Sequence, residues 1–312
     1  MARGPAILLM GPTGAGKTDV AVELAARLPL EIVSVDAAMV FRGLDIGTAK
    51  PPPEVRARAP HHLIDLIDPA ESYSAARFVA DADAATAGIA TRGRRPLFAG
   101  GTMLYFCAWQ SGLAKLPAAD AGVRAWIEAR AAAEGWPALH AELAARDPEA
   151  ARRIRPGDRQ RIQRALEVIE LSGRPISEQQ RQDLRGAARS ADLRIVLAPV
   201  DRAALYERLA LRFHDMIRRG LLAEAQGLWA RGDLDATKPS MRLIGYRQLW
   251  AHLAGRESLE TSVEKAVIAT RQLARRQLTW LRAEPDAEWF DPSDRDTPRR
   301  IAERIENWLH AH

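Results

Sequence analysis

An α/β fold on a parallel sheet, interrupted by an all-helical insertion, is predicted by three observations. Short apolar runs alternate with one-faced helical periodicity near the N-terminus. A glycine-rich turn joins the first run to the first helix. From about Leu116 to Leu184 the strand signal disappears. The first run, Ala6 to Met10, is closed by Gly11-Pro12, and residues 18–28 then place Ala21, Leu24, Ala25 and Leu28 on one helical face. A second strand, Glu31 to Val35, ends at Asp36, and a third, Pro96 to Ala99, ends at Gly100-Gly101. This alternation argues for a doubly wound sheet that presents ligands at the C-terminal ends of its strands. Pro51-Pro52-Pro53 reads as a stiff loop. Within the insertion, helices are predicted around Asp120 and over 137–146, 148–154 and 158–171, punctuated by Gly135, Pro148, Pro156-Gly157 and Gly173. Leu193 to Leu197 returns as a strand. The expected organisation is a core of residues 1–115 plus 190–312, ending in helices, with a helical insertion at 116–189.

Composition bounds the function. The chain has 312 residues, 47% hydrophobic and 27% charged, the balance of a globular protein with a sizeable core. No apolar run approaches the roughly 18 residues a spanning helix needs, and Ala6 to Met10 is too short for a secretory segment. One cysteine, Cys107, excludes a disulfide framework and reads as packing; His61 and His62 have no spaced partners for zinc. The expectation is a cytoplasmic protein with no membrane association. The net charge is +5, and five lysines (17, 50, 115, 238, 265) leave 40 of the 45 basic residues as arginine. Two readings stand: codon bias, or an arginine surface for phosphates, since guanidinium makes bidentate contacts that lysine cannot.

Gly11-Pro12-Thr13-Gly14-Ala15-Gly16-Lys17-Thr18 fits G-x-x-x-x-G-K-[ST] between a strand and a helix, the context of a P-loop. The core is therefore expected to be P-loop NTPase-like. Glycines let backbone amides turn onto phosphate oxygens, and the helix N-terminus adds its dipole. Lys17 supplies a point charge, and the Thr18 hydroxyl can ligate Mg²⁺. A chance match is on the order of one in a hundred. Asp36 is delivered to the rim beside this loop. From position alone it reads as a general base, an outer-shell magnesium ligand or a turn cap.

From Ser34 to Pro51, SVDAAMVFRGLDIGTAKP, the chain resembles the bacterial tRNA dimethylallyltransferases, also known as tRNA isopentenyltransferases or the IPP transferase family. Further matching blocks are Pro60 to Asp65, Ser72 to Phe78, Gly100 to Tyr105, Arg161 to Leu166, Ile244 to Gln248 and Thr270 to Arg282. The resemblance covers roughly residues 6–291. It implies a Mg²⁺-dependent, monomeric prenyltransferase. The donor would be dimethylallyl diphosphate, and the acceptor the exocyclic N6 amine of the adenosine 3′ of the anticodon, in tRNAs reading codons that begin with U. A diphosphate leaving group needs the same amide cradle, Lys17 and Mg²⁺ as a nucleotide, so ATP binding is implied as competition. By this resemblance Asp36 is the base, Thr102 helps hold the amine or the donor's bridging oxygen, and Arg212 neutralises the diphosphate. Residue types alone leave Thr102 as an N-cap and Arg212 as a surface arginine. A tunnel from the P-loop past Asp36 is expected. Three positions depart from the family pattern: Ala37 lacks a hydroxyl, Met39 replaces a glutamine or leucine, and Phe41 replaces a common tyrosine.

The adenosine must leave its stack to reach the base, which single-stranded loops permit. The resemblance assigns RNA contacts to Asp36, Ala37, Ala38, Met39, Thr102 and Arg124, to Gln160-Arg161-Ile162-Gln163-Arg164, and to Arg242-Leu243-Ile244-Gly245-Tyr246-Arg247. It also assigns them to Arg275-Arg276-Gln277-Leu278-Thr279-Trp280-Leu281-Arg282. The insertion is thereby expected to clasp the anticodon stem-loop. The residues themselves add detail. Ile162, Leu166 and Ile169 form a buried stripe that leaves Gln160 and Arg164 outward. Arg271, Arg275 and Arg282 fall within about 40° of one another on a helix. Tyr246 offers a ring, and Trp280 reads as core. Between 152 and 164 six arginines meet one acid, Asp158, a bias that solubility explains poorly. The rival functions are a P-loop kinase, an enzyme prenylating free adenine nucleotides and an NTP-gated RNA-binding protein; the first two leave the arginine-rich helices unexplained.

Overall fold

The computed structural model describes residues 5–184, 192–284 and 286–312. The chain forms two compact units, Met1–Trp109 with Ser190–His312, and Gln110–Arg189; the boundary expected between 189 and 190 lies outside the described residues. The first unit opens with β1 (Ile7–Met10), α1 (Lys17–Arg27), β2 (Leu30–Val35), α2 (Pro53–Arg58), β3 (His61–His62), α3 (Ala75–Thr91), β4 (Arg95–Gly100) and α4 (Met103–Ser111). The second unit holds α5 (Ala121–Glu134), α6 (Trp136–Arg146), α7 (Pro148–Arg153), α8 (Arg159–Ser172) and α9 (Ile176–Leu184), with no strand among its described residues. The first unit resumes with β5 (Leu193–Leu197), α10 (Arg202–Arg218), α11 (Leu221–Ala230), α12 (Tyr246–Leu253), α13 (Leu259–Leu281), β6 (Glu288–Phe290) and α14 (Thr297–Ala311).

The sheet runs β3-β2-β4-β1-β5-β6 with every pairing parallel. Its central strands are mostly apolar because both faces are covered, with Glu31 and Ser34 in β2 and Arg194 in β5 among the interruptions. Successive side chains alternate between the faces. Leu8, Met10, Val33, Val35, Phe98 and Val196 meet Phe78 of α3, Phe106 of α4, Leu205 of α10 and Leu278 of α13. Ile7, Leu9, Ile32, Leu97, Ile195 and Leu197 meet Ala21 and Leu24 of α1 and Ile301 and Ile305 of α14. A third core joins Val40, Phe41 and Leu44, just after β2, to Phe213, Tyr246 and Trp250. Phe41 is buried there, so the tyrosine hydroxyl common in the family would need a buried partner.

Four of the six strands follow the expected apolar runs. The edge strands β3 and β6 do not, being two and three residues of His-His and Glu-Trp-Phe without apolar alternation. Pro53 opens α2 rather than ending a loop, as suits proline in a first turn. The second unit has its own core of Ile127, Leu139, Leu143, Ile162, Leu166 and Ile169, which includes the predicted stripe of α8. Its last helix, α9, follows Gly173 (φ 69°) and was not among the expected helices: its sequence, ISEQQRQDL, has apolar residues only at its ends.

Candidate active site

The glycine loop lies between β1 and α1. Gly14 and Gly16 have φ of 78° and 84°, conformations that L side chains rarely adopt. A Cβ at Gly11 would stand 2.3 Å from the Leu197 carbonyl oxygen, so the neighbouring strand requires glycine there. Lys17 opens α1 and its Nζ donates to the Pro12 carbonyl at 2.8 Å.

At the same edge of the sheet, Val35 ends β2 and delivers Asp36. The amides of Gly101 and Thr102 both donate to the Val35 carbonyl (3.2 and 3.1 Å). Thr102 Oγ1 accepts the Ala37 N–H at 3.1 Å, which leaves its own hydroxyl hydrogen to donate elsewhere. Asp36 Oδ1 accepts the Ala38 N–H at 2.8 Å. Asp36 thus does cap its own turn, and the cap holds the carboxylate in place. Ala37 contributes a backbone N–H, so the hydroxyl it lacks is not needed for this link.

Two cavities flank these residues. One, of about 520 Å³, is lined by Gly14, Gly16, Lys17, Thr18, Arg208 and Arg219, among others; the second, of about 480 Å³, by Ala37, Ala38, Thr102, Arg242, Arg276 and Trp280, among others. Thr13, Asp36, Thr48, Gly101, Arg212 and Gln277 line both. Asp36 therefore stands where the chamber lined by the glycine loop (the phosphate-side cavity) and a second, more apolar chamber share a wall. Arg212 crosses to the loop, its Nη2 donating to Thr13 Oγ1 at 2.8 Å.

Burial dominates the electrostatics. It lowers Lys17 to about 8, against the pull of Asp36 and with help from Arg212. It raises Asp36 above the usual carboxylate range although the Ala38 amide and Lys17 favour the anion. Lys50 also lines the phosphate-side cavity, but its Nζ is saturated by Phe41 O (2.9 Å), Asp45 (2.6 Å) and Asp65 (2.6 Å), so it braces the loop after β2. Glu224 of α11 braces the same loop. It accepts the backbone N–H groups of Asp45, Ile46 and Gly47 at 2.9, 2.8 and 3.1 Å, and the Tyr246 hydroxyl at 2.5 Å.

Several residues expected at the RNA are placed otherwise. Tyr246 is fully buried, with its ring against Gly47 and its hydroxyl on Glu224, so it offers no stacking face. Gly245, Leu278 and Leu281 are buried in the first unit, and Ile162 in the second. Gln277 is buried too. Its Oε1 accepts the Thr13 N–H and its Nε2 donates to the Gly101 carbonyl, both at 2.8 Å, pinning the glycine loop to the turn after β4. Met39 lines the phosphate-side cavity, its sulfur accepting the Ser34 hydroxyl at 3.7 Å. Trp280 goes the other way: expected in the core, it is 45% exposed on the second cavity. Arg275 and Arg276 are exposed on the same helix and Arg282 at its C-cap, with Thr279 between them bonded to the Arg275 carbonyl, whereas Arg271 lies over the Tyr206 ring at 6.0 Å. Arg242, Leu243 and Ile244 line the second cavity, and Arg247 is exposed. In the second unit, Gln160 is exposed and Gln163 donates to the Arg124 carbonyl and to Glu128. Arg124, Arg161 and Arg164 are held by carboxylates. Glu224, Thr48 and Arg208 escaped the sequence reading; Thr48 falls inside a matching block, while Glu224 and Arg208 sit in ordinary helical sequence.

Residues 39–284 match the family model for IPP transferase. The chain belongs to this family. Among its relatives, the tRNA dimethylallyltransferase of Thioalkalivibrio sulfidiphilus is 56% identical over 312 residues, spanning 98% of this chain and 96% of that one. The enzyme of the same name from Methylococcus capsulatus is 53% identical, spanning 96% of each. Of solved structures, the tRNA isopentenylpyrophosphate transferase of Bacillus halodurans is similar with a TM-score of 0.69 at 36% identity, covering 99% of this chain and 96% of that one. A eukaryotic dimethylallyltransferase acting on tRNA gives 0.81 at 25% identity, covering 99% and 80%. No helix among the described residues is long and apolar enough to cross a membrane.

Proposed function

We propose that this chain transfers the dimethylallyl group of dimethylallyl diphosphate to the N6 amine of the adenosine 3′ of the anticodon, in tRNAs reading codons that begin with U, working as a monomer in the cytoplasm. The observation that carries the reading is the wall shared by the two cavities, with Asp36 in it. The diphosphate lies over the loop amides, Lys17 and Arg212, and the adenine enters the second cavity past Trp280. As the carbon–oxygen bond breaks, charge builds on the diphosphate against fixed amides and two cations. The amine's lone pair forms the new carbon–nitrogen bond, and Asp36 takes the proton the amine gives up. Thr102, whose oxygen is engaged by Ala37, has its hydroxyl hydrogen left to orient the amine or the bridging oxygen.

Among the described residues no three His, Cys, Asp or Glu side chains are grouped to hold a metal. That suits Mg²⁺ carried on the diphosphate, which keeps most of its ligands as water and phosphate oxygen; Thr18, which lines the same cavity, would complete its shell. The ion would neutralise the leaving group. ATP should compete for the loop without reacting. The test is incubation with Mg²⁺, dimethylallyl diphosphate and unmodified tRNA, followed by nucleoside mass spectrometry. Prenylated adenosine supports the reading; phosphoryl transfer from ATP, or tRNA binding without a new nucleoside, overturns it.

A further inference from the structure

The backbone amides of Asp45, Ile46 and Gly47, consecutive in the loop after β2, converge on one point. Successive N–H groups arranged in this way form a concavity for an anion, and here the chain fills it with its own carboxylate. Glu224 Oε2 accepts from Asp45 and Ile46, and Oε1 accepts from Gly47 and from the Tyr246 hydroxyl. Each oxygen thus takes two hydrogen bonds, which uses the acceptor capacity of an ionised carboxylate. Burial and the Glu224 charge both push the Tyr246 phenol upward, so it stays protonated and donating. A carboxylate so occupied has no lone pair left for a substrate. Its work is to hold.

What it holds are two stretches of one wall. Beyond Gly47 the loop folds back, with the Ala49 N–H on the Ile46 carbonyl and the Lys50 N–H on the Asp45 carbonyl, both at 3.0 Å. Gly47 and Thr48 line the second cavity, and Thr48 and Asp36 line both cavities. On the other side, Tyr246 opens α12 two residues after Ile244, and Arg242, Leu243 and Ile244 line the second cavity too. The stretches meet at the Tyr246 ring, against which Gly47 is pressed so closely that a Cβ would stand 2.6 Å away. Glu224 joins them from α11 and is not itself among the residues lining either cavity.

We propose that Glu224 is a positioning residue for the transfer: through the 45–47 amides and the Tyr246 hydroxyl it fixes the wall of the second cavity, and with it the place of the acceptor amine relative to Asp36. The inference rests on the prenyl-transfer reading above. Its consequence is chemical, because water competes with the amine for the donor's carbon. Attack by water breaks the same carbon–oxygen bond and yields dimethylallyl alcohol, diphosphate and one proton. Misplacing a bound reactant by about 1 Å costs on the order of 10²-fold, whereas water needs no such alignment. Glu224 therefore sets the ratio of transfer to donor hydrolysis.

The experiment measures prenyladenosine and dimethylallyl alcohol together, at saturating donor, Mg²⁺ and unmodified tRNA, below each variant's melting temperature. Glu224→Gln keeps one accepting oxygen, but its NH₂ cannot accept an amide N–H; kcat for transfer should fall about tenfold, and on the order of 10²-fold in Glu224→Ala. Tyr246→Phe breaks only the link to the 242–246 stretch and should lose less than either. The ratio of alcohol to prenyladenosine should rise in the order Tyr246→Phe, Glu224→Gln, Glu224→Ala. Donor KM should stay within a few-fold, since the glycine loop, Lys17 and Arg212 hold the diphosphate. The double variant Glu224→Ala/Tyr246→Phe should lose less than the two single losses combined, because both cut one link. Variants that melt lower yet keep the wild-type kcat and product ratio would reduce Glu224 to a structural brace and overturn the proposal. A raised donor KM at unchanged kcat would overturn it as well. If Glu224→Ala does not fold, Glu224→Gln and Tyr246→Phe decide between these outcomes. Wild-type protein that makes no prenyladenosine would refute the functional reading itself.

Discussion

Gln277 offers the sharpest test of how the site is held. Replacing it by leucine keeps the volume and removes both amide contacts, the Thr13 N–H and the Gly101 carbonyl at 2.8 Å each. The two losses are unequal. The Gly101 contact is buried, and an unmatched buried acceptor costs about 1–3 kcal/mol. The Thr13 amide is only partly buried and can turn to water. A total near 2 kcal/mol follows, a fall in melting temperature of about 4–8 °C for a unit of this size. Glutamate separates stability from function. Its carboxylate still accepts from Thr13 but cannot donate to Gly101, and it brings a negative charge onto the wall of the phosphate-side cavity. Gln277→Glu should therefore raise the KM for dimethylallyl diphosphate on the order of tenfold or more, while Gln277→Leu raises it only a few-fold. Calorimetry and steady-state kinetics at saturating tRNA read both quantities. Wild-type melting in both variants, with equal donor KM, would show that Gln277 pins nothing.

Three further outcomes follow from the same site. Asp36 must be ionised to accept a proton, so the donor kcat/KM should fall as pH drops through its raised pKa; Lys17 must be an ammonium, so the same quantity should fall as pH rises past about 8. Asp36→Asn should abolish the acidic limb and cut turnover by about 10² or more while tRNA affinity stays within a few-fold; a profile unchanged in shape would deny Asp36 its role. At Gly47, a Cβ would stand 2.6 Å from the buried Tyr246 ring, which cannot swing away. Gly47→Ala should cost about 1–3 kcal/mol in chemical denaturation, and Tyr246→Leu in the same chain should recover part of it.

The sheet and the glycine loop were legible because their signals are local. A parallel strand covered on both faces is mostly apolar, and a loop wrapping a phosphate must carry glycine where φ turns positive. The edge strands β3 and β6 carry no such signal, since two or three residues joined to one neighbour need no particular side chains. The aromatic residues show a different limit. Tyr246 and Trp280 both stand beside arginines in matching blocks, yet one is sealed against Gly47 and the other opens onto a cavity. What separates them is the partner: Glu224, twenty-two positions away in sequence, supplies the acceptor that lets a tyrosine hydroxyl be buried. Arg124 and Arg164 repeat the lesson, because the buried Glu167, forty-three positions from Arg124, is what engages both.

The charge arrangement around Asp36 also bears on why a carboxylate suffices as the base in the proposed reaction. The N6 lone pair is delocalised into the purine, so the free amine is scarcely basic and no carboxylate could deprotonate it beforehand. Once the carbon–nitrogen bond begins to form, the nitrogen becomes cationic and strongly acidic, and a group with a raised carboxylate pKa is ample to receive the proton. Lys17 and Arg212 keep the empty site from protonating Asp36 further, since each favours its anion. When the diphosphate arrives it takes up those two cations, and the carboxylate becomes more basic just as the amine needs a proton acceptor. Placing the base in the wall shared by both cavities thus couples its strength to the presence of the donor, which a carboxylate confined to the second cavity would not achieve.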